Sequence, residues 1–445
     1  MSSASDLPPL ALPWAPEKVQ QRIKALGGSL PIRSPDQLFD YLNDATETAI
    51  GSYGKSASLY AGANVLTEYS KRLASPDLSS RPTLGLPGEK FPAGAGILDA
   101  LEIAATDAVR TTMSATFADI RMPTATMANL VVLVALTVPG DTIAALPGPA
   151  GGHVSHRSGA PEVRGLRVAT IPYDYEKLDV DLDALPTFLD KENPRLVILG
   201  GSVMLRPHDV PAISAMAHAH GAAVLYDASH VAGLIAGGRF QKPLAEGADV
   251  LTFSTYKSFG GPAGGAMCTN DMALAERLSN IAYPALTANY DASRLGPLAM
   301  AASELLANGA EYADNCIANA RNLGQFLTHE GLLVLQPSKG FTDSHQLIVD
   351  VRAFGGGHLA SEKLARAGII LSPSLLPVAD DETESHGLRI GTQELTRRGL
   401  GEAEFKRLAR LISGVLNDEI EVEDAAASVA SLFEQVNQSG AKAHG

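Results

Sequence analysis

The stretch from Ala222 to Thr269 constrains this 445-residue chain more than any other. Ala222–Tyr226 is a short apolar run that ends in Asp227, with His230 three residues on. A second run, Asp249–Ser254, stops just before Thr255-Tyr256-Lys257. Glycines follow at 260, 261, 264 and 265, then a third run, Ala266–Thr269. Apolar runs of this length, bounded by Gly and Pro, read as buried strands. In open α/β sheets, ligands sit at the carboxyl ends of the strands. Asp227 and Lys257 leave two neighbouring strand ends and are therefore placed to face one site.

An acid and an amine so placed suit one chemistry in particular. A lysine amine forms a Schiff base with pyridoxal phosphate, and an aspartate holds the ring nitrogen protonated, which makes the ring an electron sink. Taken singly, either residue is as well explained by an ordinary strand-end cap or a surface lysine. The combined pattern of Asp227-x-x-His230, Ser254-Thr255-Tyr256-Lys257 and a Gly-rich turn is more specific. It resembles the serine hydroxymethyltransferase family. Asp227-Ala228-Ser229-His230-Val231-Ala232-Gly233-Leu234 is similar to that family's D-x-A-H-V-A-G-L. Thr255-Tyr256-Lys257-Ser258 resembles its T-H-K-T, and Gly260-Gly261-Pro262-Ala263-Gly264-Gly265 its G-P-R-G-G. The resemblance runs over roughly 75–415. It implies an α/β protein of fold type I, with a mostly parallel sheet of the seven-stranded type flanked by helices and a smaller C-terminal α/β domain. The expected division is an N-terminal arm and helices over 1–74, a large cofactor-binding domain over 75–305 and a smaller domain over 306–445.

Composition narrows the partners. With 35 Lys+Arg against 49 Asp+Glu, the net charge is −14. An acidic chain of this kind argues against nucleic acid or an anionic membrane as the main partner. Cys268 and Cys316 stand far apart, outside any metal-ligand spacing, which suits a reducing, cytoplasmic setting without a metal. The first residues show no basic region followed by a long apolar core, so no signal peptide is expected. The longest apolar run, near Leu130–Val138, is too short to span a bilayer and reads as a buried helix.

Along the chain, residues 1–16 read as a Pro/Ser-rich arm, and Pro16-Glu17-Lys18 as the opening of a helix. Helices are expected over Asp36–Tyr53, Leu59–Leu73 and Gly96–Ala108, and one long helical region over Arg294–Glu330. Strands near Arg195–Leu199 and Leu166–Pro172 alternate with helices near Leu182–Asp190 and Val210–His220, the pattern of a parallel sheet covered on both faces. From about Gln435 the chain reads as a frayed tail.

Thr124-Ala125-Thr126 at the start of the apolar helix places hydroxyl and N–H donors where a helix N-terminus favours an anion. The segment resembles the family's S-G-S-Q-A-N, which grips the cofactor phosphate. Pro147–His156 resembles its H-G-G-H-L-T-H-G loop, which implies that His153 stacks on the cofactor ring. Ser202, after Gly200-Gly201, is a further cofactor candidate, as are Thr255 and His230. Gly387–Thr392 followed by Thr396-Arg397-Arg398-Gly399 resembles G-I-R-x-G-T…T-R-R-G. By that match Arg389 holds the substrate carboxylate, and a guanidinium forks well onto a carboxylate.

Two departures bear on function. Gly85-Leu86-Pro87-Gly88 matches the family's G-Y-P-G, in a loop that reaches the partner subunit's site in a homodimer. In that register Leu84 stands where the family has a glutamate. The segment Tyr283–Tyr290 also lacks the glycines of F-P-G-x-Q-G-G-P, whose backbone reaches the partner's phosphate. The chain is therefore expected to be an amino-acid aldolase that works without folate, cleaving a β-hydroxy amino acid such as α-methylserine. A folate-dependent hydroxymethyltransferase is the alternative, and a non-catalytic scaffold of the same fold a further one. His156 and Tyr256 are the candidate bases, with Glu89 if the loop register slips.

Overall fold

The computed structural model describes residues 12–27, 34–378 and 384–443, with side chains up to 436. The chain forms two compact units, Met1–Ser56 and Ala57–Gly445. In the first, helices α1 (Glu17–Gly27) and α2 (Pro35–Gly54) are described. Ser34 caps α2 by accepting from the backbone N–H of Gln37, and Pro35 follows at the first helical position. Most of the expected N-terminal arm lies outside the described residues.

The second unit is built on a seven-stranded sheet. In chain order its strands are β1 (Phe117–Met122), β2 (Thr142–Ala145), β3 (Arg167–Thr170), β4 (Leu196–Gly200), β5 (Ala223–Asp227), β6 (Val250–Ser254) and β7 (Gly265–Thr269). Their order across the sheet is β1-β7-β6-β5-β4-β2-β3. All neighbours are parallel except β7, which runs antiparallel to both β6 and β1. The sheet is thus mixed but mostly parallel.

Alternation along the strands sends side chains to two apolar layers. Val197, Leu199, Val224, Tyr226, Leu251 and Phe253 pack on one face. Leu196, Ile198, Leu225 and Val250 pack on the other, against the apolar helix α3 (Ala125–Leu136). Because both faces are covered, the strands read as uniform apolar runs rather than as alternating ones. Helix α3 is apolar around most of its circumference for the same reason, being buried rather than amphipathic.

Helix α4 (Leu295–His329) runs for 35 residues along this core and contributes Ala320, Leu323 and Leu327 to a second one. That second core underlies a four-stranded antiparallel sheet of β8 (Leu333–Val334), β9 (Gln346–Asp350), β10 (Ser372–Ser374) and β11 (Gly387–Gly391), ordered β8-β9-β11-β10.

The structure corrects two sequence expectations. A helix forms only over Glu68–Leu73, not from Leu59. Ala57–Ser58 instead pairs with Ile369–Ile370 in a short parallel ladder. The C-terminal segment is a helix, Val422–Ala443, that continues past Gln435 in place of the expected frayed tail.

Candidate active site

The parallel register of β4, β5 and β6 aligns three strand ends. Gly200 stands opposite Asp227, and Asp227 opposite Thr252, so the chain leaves β5 and β6 at the same edge. Gly200 has φ +81°, and a Cβ there would lie 2.2 Å from the carbonyl oxygen of Asp227. Only glycine lets the 200–202 turn close over the aspartate in this way. On the other side, a Cβ on Gly233 would lie 2.2 Å from the carbonyl oxygen of Ser258. The Ser258 hydroxyl donates to the carbonyl of His230 and accepts from the N–H of Gly233 at 3.0 Å. The two motif segments are therefore locked together by Ser258 and Gly233, which brings His230 to Lys257.

Asp227 is buried and accepts from three residues. Its Oδ1 takes the N–H of Ser229 at 2.9 Å. Its Oδ2 lies 2.8 Å from Nδ2 of Asn129 and 2.8 Å from Nε2 of His156. Burial alone would raise its pKa, but the bonds from His156, Ser229 and Asn129 outweigh it and hold the carboxyl well below its usual range. The result is an ionised carboxylate at the end of a central strand. Asn129 is itself fixed, since its Oδ1 accepts from the Thr252 hydroxyl at 2.6 Å.

Lys257 Nζ lies 3.1 Å from Nε2 of His230. Burial lowers the lysine to about 8; Asp227 pulls the other way and Arg389 adds to the lowering. His230 is pushed well below its ordinary value by burial, and further by Lys257 and Arg389, so its ring is neutral near pH 7. His153 is lowered to about 4, mainly by burial and then by His156. Its Nδ1 accepts from the N–H of Ser155 at 3.1 Å and lies 2.8 Å from that residue's hydroxyl, which sets the proton of the neutral ring on Nε2.

A cavity of about 130 Å³ lies between these groups, with Thr124, Ala125, Thr126, His153, Ser202, Asp227, His230, Tyr256 and Lys257 in its wall. Thr124 caps α3 through the N–H of Met127 at 3.1 Å. The N-terminus of a twelve-residue helix therefore opens onto the same cavity as the acid and the amine. Three larger hollows, of about 240, 520 and 910 Å³, lie elsewhere and include neither Asp227 nor Lys257 in their walls.

Three expected residues stand outside that wall. Thr255 is fully buried and spends its hydroxyl on the carbonyl of Pro262 at 2.6 Å, shaping the turn instead. His156, a candidate base, lies fully buried behind Asp227 with Nδ1 unpartnered, so its contact is with the aspartate. Arg389, on β11, donates from Nη1 to the carbonyl of Ser202 at 2.8 Å, while its buried Nε has no partner. Among the described residues no carboxylate pairs with it, and burial lowers its pKa. A half-buried guanidinium whose Nε has no partner is a candidate receptor for a substrate carboxylate. Glu89 is exposed in its loop, and Leu84 is half-buried.

The sequence reading assigned no role to Asn129, Ser155, Ser229 or Gln346. Asn129 had a visible signal, a lone amide inside an otherwise apolar helix. Gln346 had none, because its partners lie more than a hundred residues away.

These features fit pyridoxal phosphate: an amine held near neutrality, an ionised acid in the same cavity wall, and a helix N-terminus for a phosphate. The sequence profile of the family described as serine hydroxymethyltransferase matches residues 41–412. An α-methylserine aldolase of Variovorax paradoxus is 40% identical over 375 residues, covering 84% of each chain. A serine hydroxymethyltransferase of Korarchaeum cryptofilum is 40% identical over 395 residues, covering 85% of this chain and 91% of that one. Among solved structures, an L-threonine transaldolase from Pseudomonas fluorescens, in its internal aldimine state, superposes with a TM-score of 0.82 at 27% identity, covering 90% and 92% of the two chains. The chain therefore belongs to the serine hydroxymethyltransferase family, as a pyridoxal-phosphate-dependent enzyme of fold type I.

Proposed function

We propose that the enzyme cleaves a β-hydroxy amino acid by a folate-independent retro-aldol reaction, for example α-methylserine to alanine and formaldehyde. Bound pyridoxal phosphate supplies the electron sink for the carbon whose bond breaks. Lys257 holds the cofactor, and its lowered pKa keeps a useful fraction of free amine near neutral pH. Asp227 keeps a proton on the ring nitrogen, because a fixed negative charge favours the protonated partner. His156 and Asn129 act through Asp227 by fixing its orientation and ionisation. The N–H groups at Ala125 and Thr126 and the neighbouring hydroxyls receive the phosphate. His153 would offer a neutral imidazole face to a bound ring, with Ser202 and His230 in the same cavity wall.

Arg389, whose Nε has no partner, is the group we assign to the substrate carboxylate. Tyr256, in the cavity wall beside Lys257, is the group we place at the β-hydroxyl proton. The exposed apolar side chains of Phe91 and Ile97 suit a homodimer with shared sites.

The observation that carries the reading is Leu84. An alkyl side chain stands where the family's glutamate would move a proton, so the group associated with folate-dependent transfer is missing. The chain is as similar to serine hydroxymethyltransferases as to α-methylserine aldolases, 40% identical to each, so Leu84 and not overall similarity separates the two readings. Formaldehyde release from α-methylserine and from serine, each with and without tetrahydrofolate, tests it. The reading expects release from α-methylserine without folate. Release only when folate is present would make the enzyme a hydroxymethyltransferase, and another group must then replace the glutamate.

A further inference from the structure

Gln346 begins β9 and is fully buried. Two contacts fix which way its amide points. Its Oε1 accepts the N–H of Met204 at 2.7 Å, and its Nε2 donates to the carbonyl of Ser202 at 3.1 Å. The same Nε2 lies 3.1 Å from Nδ1 of His230. That ring nitrogen is also 3.1 Å from the carbonyl oxygen of Ala61. The two neighbours make opposite demands. A carbonyl only accepts and calls for a proton on Nδ1, whereas an amide nitrogen only donates and calls for a lone pair there.

The choice reaches the lysine, because Nε2 of His230 is 3.1 Å from Lys257 Nζ. A neutral imidazole carries one ring proton. With Nδ1 bare, Nε2–H donates to a free amine. With Nδ1 protonated, the Nε2 lone pair accepts from an ammonium. The other charged and titratable groups acting on Lys257 oppose one another or are neutral. Asp227 on β5 favours the ammonium and Arg389 on β11 disfavours it. Burial lowers His345, beside Gln346, to about 3 and His153 in the Gly-rich loop to about 4, so both are neutral near pH 7. Burial supplies the main lowering of Lys257, and the direction of the His230 ring proton adds to it or works against it.

We infer that Gln346 is a positioning residue: it holds the His230 proton on Nε2 and so raises the share of Lys257 that is free amine while that lysine is not joined to cofactor. The inference rests on Lys257 being the cofactor lysine. A free amine attacks the aldehyde carbon directly; a carbon–nitrogen double bond forms, and the aldehyde oxygen leaves as water with the two amine hydrogens. Gln346 and Arg389 also share the Ser202 carbonyl as acceptor, so the four-stranded sheet sets both groups at once.

The test uses the full-length chain stripped of cofactor. The rate of colour formation on adding pyridoxal phosphate is followed across neutral to alkaline pH in wild type, Gln346→Glu and Gln346→Met. An ionised carboxylate in place of the amide only accepts and should reverse the His230 proton. Gln346→Glu should therefore move the midpoint of the rate–pH profile upward by about one pH unit, or roughly tenfold in rate below it. Gln346→Met should move it less, in the same direction. Unchanged midpoints in both folded variants overturn the inference. If neither variant folds, nitrogen NMR of histidine-labelled wild type decides: a proton on Nε2 of His230 supports it, and one on Nδ1 overturns it. Lys257→Ala is the control for the underlying reading. Pyridoxyl retained on the protein after borohydride reduction of that variant would reject Lys257 as the cofactor lysine, while the His230 tautomer is still read separately.

Discussion

The ends of β4, β5 and β6 and the 83–98 loop treat their polar groups in opposite ways. At the strand ends, Asp227 takes three hydrogen bonds, Asn129 uses both ends of its amide, and Lys257 is in contact with His230. In the loop, Leu84 stands where the resembled motif has an acid, Leu86 is half-exposed, and Phe91 and Ile97 are 82% and 86% exposed. Its one buried charge, Lys90, is occupied with Glu102 and with the carbonyl of Gly85 at 3.1 Å. The strand ends gather an acid, an amine and their hydrogen-bond partners in one cavity wall, and the loop exposes Phe91 and Ile97 beside Glu89. On the reading proposed above, cofactor chemistry belongs to the strand ends and substrate choice to the loop.

That contrast breaks first at Lys257. Lys257→Ala should lower kcat/KM by at least about 10³-fold, roughly 4 kcal/mol of barrier, whereas equal turnover in steady-state assays would remove the strand ends from the site. Asp227→Ala should cost about 100-fold in kcat/KM, roughly 2.7 kcal/mol, and also strand the donors of Asn129 and His156. A variant with wild-type turnover would deny the aspartate its part.

Acid should attack the strand ends before the loop. His153, His230 and His345 have folded-state values below their ordinary 6.5, with His153 near 4 and His345 near 3. Between those values and 6.5 the unfolded chain binds more protons than the folded one, so stability rises with pH and is lost as pH falls from 6.5 toward 4. The slope is at most about 1.4 kcal/mol per pH unit for each fully buried group, and less for His153, which is only partly buried. Urea unfolding at pH 6.5 and pH 4.5 reads it; equal free energies would show that these rings are not held neutral.

Thr124→Ala removes the α3 cap and should cost about 1 kcal/mol of stability, together with weaker cofactor binding in an equilibrium titration. A drop in stability alone would leave Thr124 as a cap and nothing more. Leu84→Glu should have the smallest effect, within about 0.5 kcal/mol on stability, with cofactor binding unchanged. Loss of cofactor from that variant would join the two regions that the account keeps apart.

Much of the fold was legible because buried strands leave plain marks. Ala222–Tyr226, Asp249–Ser254 and Ala266–Thr269 each correspond to a strand within a residue or two, and the long helix was expected almost to its ends. The segment 59–67 was not legible. Its helix-like pattern lost to distant backbone partners: Leu59 N–H donates to the carbonyl of Ile370 at 2.7 Å, and Gly391 N–H to the carbonyl of Leu59 at 2.8 Å. In the site, the acid, the amine and the Gly-rich turns announced themselves. The supporting amides did not, since Asn129 and Gln346 draw their meaning from residues brought to them only by the folded sheets.

The most direct measurement is to reduce the cofactor-loaded enzyme with borohydride, digest it and find by mass spectrometry which lysine carries the pyridoxyl group. The account predicts a single modified peptide containing Lys257. Modification spread over surface lysines, or centred on any other lysine, would contradict it.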